Sequence, residues 1–198
     1  MRIIEGEFGG RRIKVPTSGA LRPTQDRVRE ALFNIIQGEL SGARFLDLFA
    51  GSGAVGLEAL SRGAAHAVFV EADRRHTAVI SANAASLGCA SRVGVVSADA
   101  YRFLASYSGE PFNIAFADPP YALGEEKGYD HVLQTLLSRN VIAEGGLFIA
   151  EMTSSQGASS VSGWELLRDR KYGKSRICLW RRIPVCGAHL RNSPQSSL

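Results

Sequence analysis

The sequence predicts one α/β domain, a mainly parallel sheet covered by helices on both faces. Three observations point there. Short apolar runs alternate with amphipathic stretches, a glycine turn follows the first of these runs, and an Asp-Pro-Pro-Tyr tetrapeptide follows the fourth. A length of 198 residues suffices for one sizeable core and is too short for two ordinary domains. With 45% hydrophobic and 21% charged residues, the composition fits a folded domain rather than a disordered or fibrous chain.

Residues 2–15 read as two short strands around Gly9 and Gly10, a hairpin pattern, and a connection bearing Pro, Ser and Gly follows. Pro23 and Thr24 then start and cap a helix. Its Val28, Ala31, Leu32, Ile35 and Ile36 fall on one face, and Gly38 ends it. From Arg44 onward, stretches 45–49, 67–70, 93–96 and 114–117 read as buried strands with helical patterns between them. A helix beginning near Tyr129 leads into a strand at 146–151. Stretches 164–170 and 176–182 are separated by the Tyr172-Gly173-Lys174 connection and should pair as an antiparallel hairpin. After Pro184 the chain is rich in Ser, Pro and Asn without periodicity, the composition of a flexible tail. The expected division is therefore an N-terminal β-hairpin extension at 1–20, the main domain at 21–183 and a tail at 184–198.

The net charge of +4 favours a polyanionic partner. Basic residues gather near the start (Arg11, Arg12, Lys14, Arg22, Arg27, Arg29) and again between Arg168 and Arg182. Cys89, Cys178 and Cys186 follow no paired spacing, so no disulfide framework or zinc knuckle is expected. No signal-peptide pattern and no apolar run near the ~20 residues of a membrane helix occurs, so a cytoplasmic location is expected. The four histidines share no ligand spacing, and no metal is expected.

The run Asp47-Leu48-Phe49-Ala50-Gly51-Ser52-Gly53 sets a glycine turn between a strand and a helix, with Glu71 at the end of the next strand. By itself this pattern suits NAD and S-adenosylmethionine equally. Asp47 separates them: a carboxylate there repels a pyrophosphate and attracts the ammonium and sulfonium of S-adenosylmethionine. Asp99, at the end of the third strand, can accept from the adenine amine and can also cap the next helix, which begins at Ala100. The candidate cofactor residues are Asp47, Phe49, Gly51, Ser52, Gly53, Glu71, Asp99 and Ala100.

Asp118-Pro119-Pro120-Tyr121 lies at the carboxyl end of the sheet, where ligands of open α/β folds bind. An exocyclic amine on an aromatic ring is a poor nucleophile because its lone pair is delocalised. The Asp118 side chain and the Pro119 carbonyl can hold its hydrogens out of plane and restore the lone pair, and consecutive prolines stiffen the loop beforehand. Tyr121 offers a face for an unpaired base. No Ser sits in a nucleophile elbow, which removes a hydrolase reading.

The sequence resembles the RsmD-type bacterial 16S rRNA guanine-N2 methyltransferases, from Met1 to about Arg182. The resemblance is carried by Met1-Arg2-Ile3-Ile4, by Gly10-Arg11-Arg12-Ile13, by the run from Leu21 to Asn34, by the glycine turn through Gly63 and by the Asp118 tetrapeptide. It implies a class I S-adenosylmethionine-dependent methyltransferase fold, Rossmann-like α/β, with a seven-stranded mixed sheet and an antiparallel last strand. It also implies methylation of the N2 of one guanine in small-subunit RNA, and a place for the Arg22 to Arg29 segment beside the target base. Candidate substrate contacts are Arg11, Arg12, Arg22, Thr24, Arg27, Arg29 and Tyr121; the expected partner is 16S rRNA or the assembling 30S subunit, met by a monomer. A DNA amino-methyltransferase would need a target-recognition region for which there is no room. A protein glutamine methyltransferase usually opens the tetrapeptide with Asn. An NAD-dependent reductase and a noncatalytic RNA-binding module are the readings from other classes, and binding of S-adenosylhomocysteine against NAD separates them.

Overall fold

The structure, a computed structural model, describes residues 1–16, 23–119 and 129–184, with the side chains of 23–26 excepted. Arg22, Pro120, Tyr121, the Thr24 side chain and the tail beyond Pro184 lie outside the described residues.

Seven strands form one sheet: β1 (Arg44–Leu48), β2 (His66–Glu71), β3 (Val93–Ser97), β4 (Phe112–Ala117), β5 (Ile142–Thr153), β6 (Trp164–Tyr172) and β7 (Ser175–Arg182). Their order is β3-β2-β1-β4-β5-β7-β6. Strands β1 to β5 pair in parallel, while β7 is antiparallel to both β5 and β6. The chain moves outward from β1 through β2 to β3, then returns to place β4 on the other side of β1. A cleft opens at the carboxyl end of the sheet where the order reverses in this way.

The strands read as continuous apolar runs because helices cover both faces. Successive side chains alternate between two cores. Phe45, Ile114, Phe116, Leu147 and Ile149 join the core under α1 (Pro23–Ile36), α2 (Ala54–Ser61) and α3 (Arg74–Leu87). Leu46, Leu48, Ala115, Ala117, Phe148 and Ala150 join the opposite core, under α4 (Ala100–Ser106) and α5 (Asp130–Ser138). In the second core Phe148 stacks on Trp180, and the indole N–H of Trp164 donates to the Leu133 carbonyl at 3.1 Å. This alternation has a consequence for function. Asp47 follows the parity of Phe45, Asp118 that of Phe116 and Glu151 that of Ile149, so all three carboxylates belong to the face carrying α1 and α2.

Several boundaries depart from expectation. Strand β1 ends at Leu48, since Phe49 turns away with φ of 60°. Helix α1 ends at Ile36, and a 3-10 turn, Gln37–Glu39, carries the chain past Gly38. The strand expected at 146–151 is β5, twelve residues long, with Gly145 and Gly146 inside it and a register irregularity against β4. The N-terminal hairpin is short, with one antiparallel bridge, Arg2↔Arg12, and backbone hydrogen bonds from Ile3 N to Arg11 O (3.0 Å), Gly10 N to Ile3 O (2.9 Å) and Ile13 N to Met1 O (3.1 Å). Side chains of α2 and α3 hold it from outside. Glu58, fully buried, accepts from the backbone N–H groups of Ile4 (2.7 Å) and Glu5 (3.0 Å), and Ser61 Oγ accepts from Phe8 N (2.9 Å). Asn83 accepts from Lys14 N (2.8 Å) and donates to the carbonyls of Lys14 (2.9 Å) and Ser52 (3.1 Å). Gly6, at φ of 84°, lies so close to α2 that a Cβ would stand 1.9 Å from the Ser61 carbonyl oxygen. Ile3, Phe8 and Ile13 thereby enter the core beneath α1, and the segment expected as a separate extension shares that core.

Candidate active-site cleft

A cleft of about 290 Å³ opens where the strand order reverses, and its lining includes Asp47, Phe49, Gly51, Ser52, Asp118 and Glu151. Strand β1 delivers Asp47, and the turn to α2 wraps over it. Gly51 and Gly53 hold φ of 55° and 77°, a region that side chains rarely adopt, so at these two positions the turn closes without strain. Gly56, in the first turns of α2, lets the helix sit on the sheet, since a Cβ there would lie 2.3 Å from the Phe69 ring. Its N–H donates to Asp47 Oδ2 at 2.9 Å.

Asp47 is 1% exposed and takes this backbone bond inside the fold. Burial, opposed by the Gly56 hydrogen bond and reinforced by the charge of Glu71, pushes its carboxyl up to about 8. Such a group becomes an anion readily only when positive charge arrives beside it. The Asp118 carboxyl is also raised, by its low-dielectric surroundings first and then by Glu151 and Asp47, although its side chain remains open to the cleft. Burial raises Glu151 too, against a hydrogen bond from Ser175. Three carboxylates crowding one cleft thus ask for a cation, and the ammonium and sulfonium of S-adenosylmethionine meet that demand.

Glu71 stands at the end of β2 and shapes the glycine turn. Its two oxygens accept from Gly51 N and Asp73 N, both at 2.8 Å. A carboxylate retains acceptor capacity beyond two such bonds, so ribose hydroxyls can still be bound. Replacing Glu71 by Ala removes both the turn's anchor and this acceptor, and calorimetry should show S-adenosylhomocysteine binding weakened by ~1–3 kcal/mol. Unchanged affinity would remove Glu71 from the cofactor site.

The other sequence candidates divide. Gly53, Glu71, Asp99 and Ala100 do not line the cleft, and Glu71 is joined to its edge through Gly51 N. Asp99 caps α4, its Oδ1 accepting from Arg102 N at 2.9 Å, while Ala100 is buried beneath it. Phe49, a sequence candidate, lines the cleft and meets the Tyr101 ring edge-on at 5.7 Å. Pro119 directly follows Asp118 at the end of β4 and is buried. Arg29, 5% exposed, reaches the cleft and donates to the Arg2 carbonyl at 2.7 Å. Arg12 and Arg27 are exposed. Arg11 is exposed as well, but its guanidinium is committed, donating to the carbonyls of Leu87 (3.0 Å) and Ser86 and so satisfying the C-terminus of α3. Part of the second basic cluster is likewise committed within the fold, since Arg176 pairs with Asp169 and Arg181 with Glu39.

Sequence reasoning missed Glu151, His76, Val28, Leu32 and Met1 as lining residues. For Glu151 a signal existed, because it is an acid at the carboxyl end of the strand after Asp118. The others come from α1, α3 and the N-terminus, whose approach to the cleft is tertiary.

A pyrophosphate site would need the opposite charge beneath its glycine turn. With that reading closed by Asp47, and with β7 reversed between β5 and β6, the fold and the cleft define a methyltransferase of class I. Comparison with known proteins takes this further. The chain belongs to the family described as "Conserved hypothetical protein 95", which matches residues 1–181. It is 40% identical over 183 residues to "Ribosomal RNA small subunit methyltransferase D" of Escherichia coli K12, covering 92% of this chain and 90% of the relative. The Haemophilus influenzae protein of that name is 33% identical over 175 residues, covering 87% of this chain and 89% of its own. Among solved structures, yhhF from E. coli superposes with a TM-score of 0.83 at 38% identity, over 92% of this chain and 98% of that one. The protein TTHA0928 of Thermus thermophilus gives 0.74 at 33% identity, over 93% and 99%.

Proposed function

We propose that this methyltransferase uses S-adenosylmethionine to methylate the exocyclic N2 of one guanine in 16S rRNA. The observation that carries the reading is the meeting of Asp47, beneath the glycine turn, with Asp118, one strand over, in a single cleft. The names of the relatives support a small-subunit RNA substrate. When bound, the cofactor supplies an electrophilic methyl group on a sulfonium. The chain's own residues do the rest. Asp47 and the glycine turn hold the donor end, Glu71 takes the ribose, and Asp99 the adenine amine. Asp118 and the Pro119 carbonyl accept the two hydrogens of the target amine and turn its lone pair out of conjugation. The nitrogen becomes acidic once alkylated, and its surplus proton passes to Asp118 or to water, so a weak base suffices. Pro120 stiffens this loop, and Tyr121 stacks on the target base.

Arg12, Arg22, Arg27 and Arg29, with Thr24, border the RNA path in this reading, and Arg11 contributes through α3. Phosphate contacts position the strand while RNA shape and the cleft choose the base. The substrate is the assembling 30S subunit, the enzyme a cytoplasmic monomer, and the unit of function residues 1–183. Among the described residues no helix is long and apolar enough to cross a membrane. The test is methyl incorporation into small-subunit particles lacking the modification, followed by nuclease digestion and mass identification. N2-methylguanine is expected, with activity falling steeply as salt is added. Methylated adenine, cytosine or glutamine would overturn the substrate.

A further inference from the structure

Glu151 has no part in the chemistry so far described, yet it lines the same cleft as Asp118. Ala117 of β4 pairs with Ala150 of β5, so Asp118 and Glu151 leave adjacent parallel strands side by side, on the same face of the sheet. The position of Glu151 is fixed from both sides. Its backbone carbonyl accepts from the Tyr129 hydroxyl at 2.8 Å, with the Tyr129 ring against Phe148, and its backbone pairs with Ile177 of β7.

We propose that Glu151 selects guanine, its carboxylate accepting the ring N1–H while Asp118 and the Pro119 carbonyl hold the exocyclic amine. This inference rests on the guanine-N2 reading above. Guanine presents two adjacent donors, N1–H and the N2 amine, and two neighbouring carboxylates supply two adjacent acceptors. Adenine and cytosine present their amine beside a ring nitrogen that carries a lone pair. Such a base would set that lone pair against the Glu151 oxygens, so the residue rejects as well as attracts. Side-by-side acids resist double ionisation, and burial adds to that resistance. Arg29 in the cleft wall, the positive charge of the cofactor and the two base donors all draw both carboxyls to the anionic form that reading N1–H requires.

The test uses 2-aminopurine, which keeps the N2 amine but carries a bare lone pair at N1. Small-subunit particles are reconstituted with ligated RNA that has guanine or 2-aminopurine at the methylated position. The full-length enzyme should lose at least about 100-fold in kcat/KM on the 2-aminopurine particle, a floor below the roughly 10⁴–10⁵ by which sites built for an N–H reject analogues lacking it. E151Q, whose amide can turn to donate to a bare N1, should lose about tenfold or more on guanine and narrow the discrimination to within about tenfold. It should still bind S-adenosylhomocysteine within about threefold of the parent. Because 2-aminopurine also lacks O6, the collapse of discrimination in E151Q is what assigns the reading to this residue. Methylation of both particles at similar rates by the parent enzyme, or full discrimination retained by E151Q, overturns the proposal. Failure of the guanine-N2 reading would register separately, as absence of N2-methylguanine from the guanine particle.

Discussion

Asp118→Ala should reduce methyl incorporation by about 10³-fold or more while leaving S-adenosylhomocysteine affinity nearly unchanged. The size of the loss follows from what the carboxylate does. Removing one prepositioned acceptor of this kind typically costs about 10²–10³ in rate, and an anilinic amine has no other route to a localised lone pair. Asp118 also lacks a substitute. Glu151, although adjacent, is directed in the proposal above to N1–H, and the Pro119 carbonyl can take only one of the amine hydrogens. The cofactor's charged end is held from β1 and the glycine turn, so binding of the donor should survive. Tritiated methyl transfer under single-turnover conditions, paired with calorimetry, reads both quantities. Turnover within about tenfold of the parent would show that Asp118 is not the amine's acceptor.

The largest effect on stability is expected at Glu58. Glu58→Ala should cost about 3–5 kcal/mol, the range for breaking a buried ion pair by removing one partner. Arg62, whose side chain is 8% exposed, donates from Nε to Glu58 Oε1 at 2.8 Å and lies over the Phe33 ring. Deleting the acid strands that cation and two backbone N–H groups of the N-terminal segment. Its bond to Glu5, at 2.7 Å, reaches a carboxylate that is 68% exposed and cannot take its place. Because the same segment carries Met1, Val15 and Pro16 to the cleft, cofactor affinity should fall along with stability. Denaturant unfolding measures the first and calorimetry the second. A loss below about 1 kcal/mol would mean that the N-terminal segment holds its place without this pair.

Glu58 also marks where the sequence stops being legible. It lies inside a helical pattern as an ordinary acid, and nothing local says that it faces inward, because its partners are backbone groups more than fifty positions away. The strands were readable because burial on both faces leaves each one a plain apolar run. The parallel core and the C-terminal hairpin followed from those runs and from the Gly173 turn. The antiparallel direction of the last strand came through family resemblance, but its seat between β5 and β6 was not foreseen, since a hairpin pattern does not say which of its strands meets β5. The N-terminal hairpin was legible from its glycines, but its anchorage was not, for the same reason that Glu58 was missed. Side chains of α2 and α3 supply the hydrogen bonds that fasten it to the domain. Asp47 and the Asp118 tetrapeptide stood out because their chemistry sits in contiguous residues. Glu151 stood apart from any motif; its one signal was an acid at the carboxyl end of a strand, and strand parity followed across the register is what sets it beside Asp118.

The seating of β7 between β5 and β6 sets an order on how the protein can be made. As the ribosome extends the chain, β5 emerges and can pair with β4, but its other edge has no partner until β7 has been synthesised. Strand β6 appears first and has to wait, because it joins the sheet through β7. An unpaired edge of twelve residues, rich in Leu, Phe, Ile and Ala, is the kind of surface that recruits other chains. The interval in which the nascent protein is most exposed to aggregation therefore lasts until β7 has left the ribosome. The half-site on β5, which carries Glu151, lies along that open edge until then.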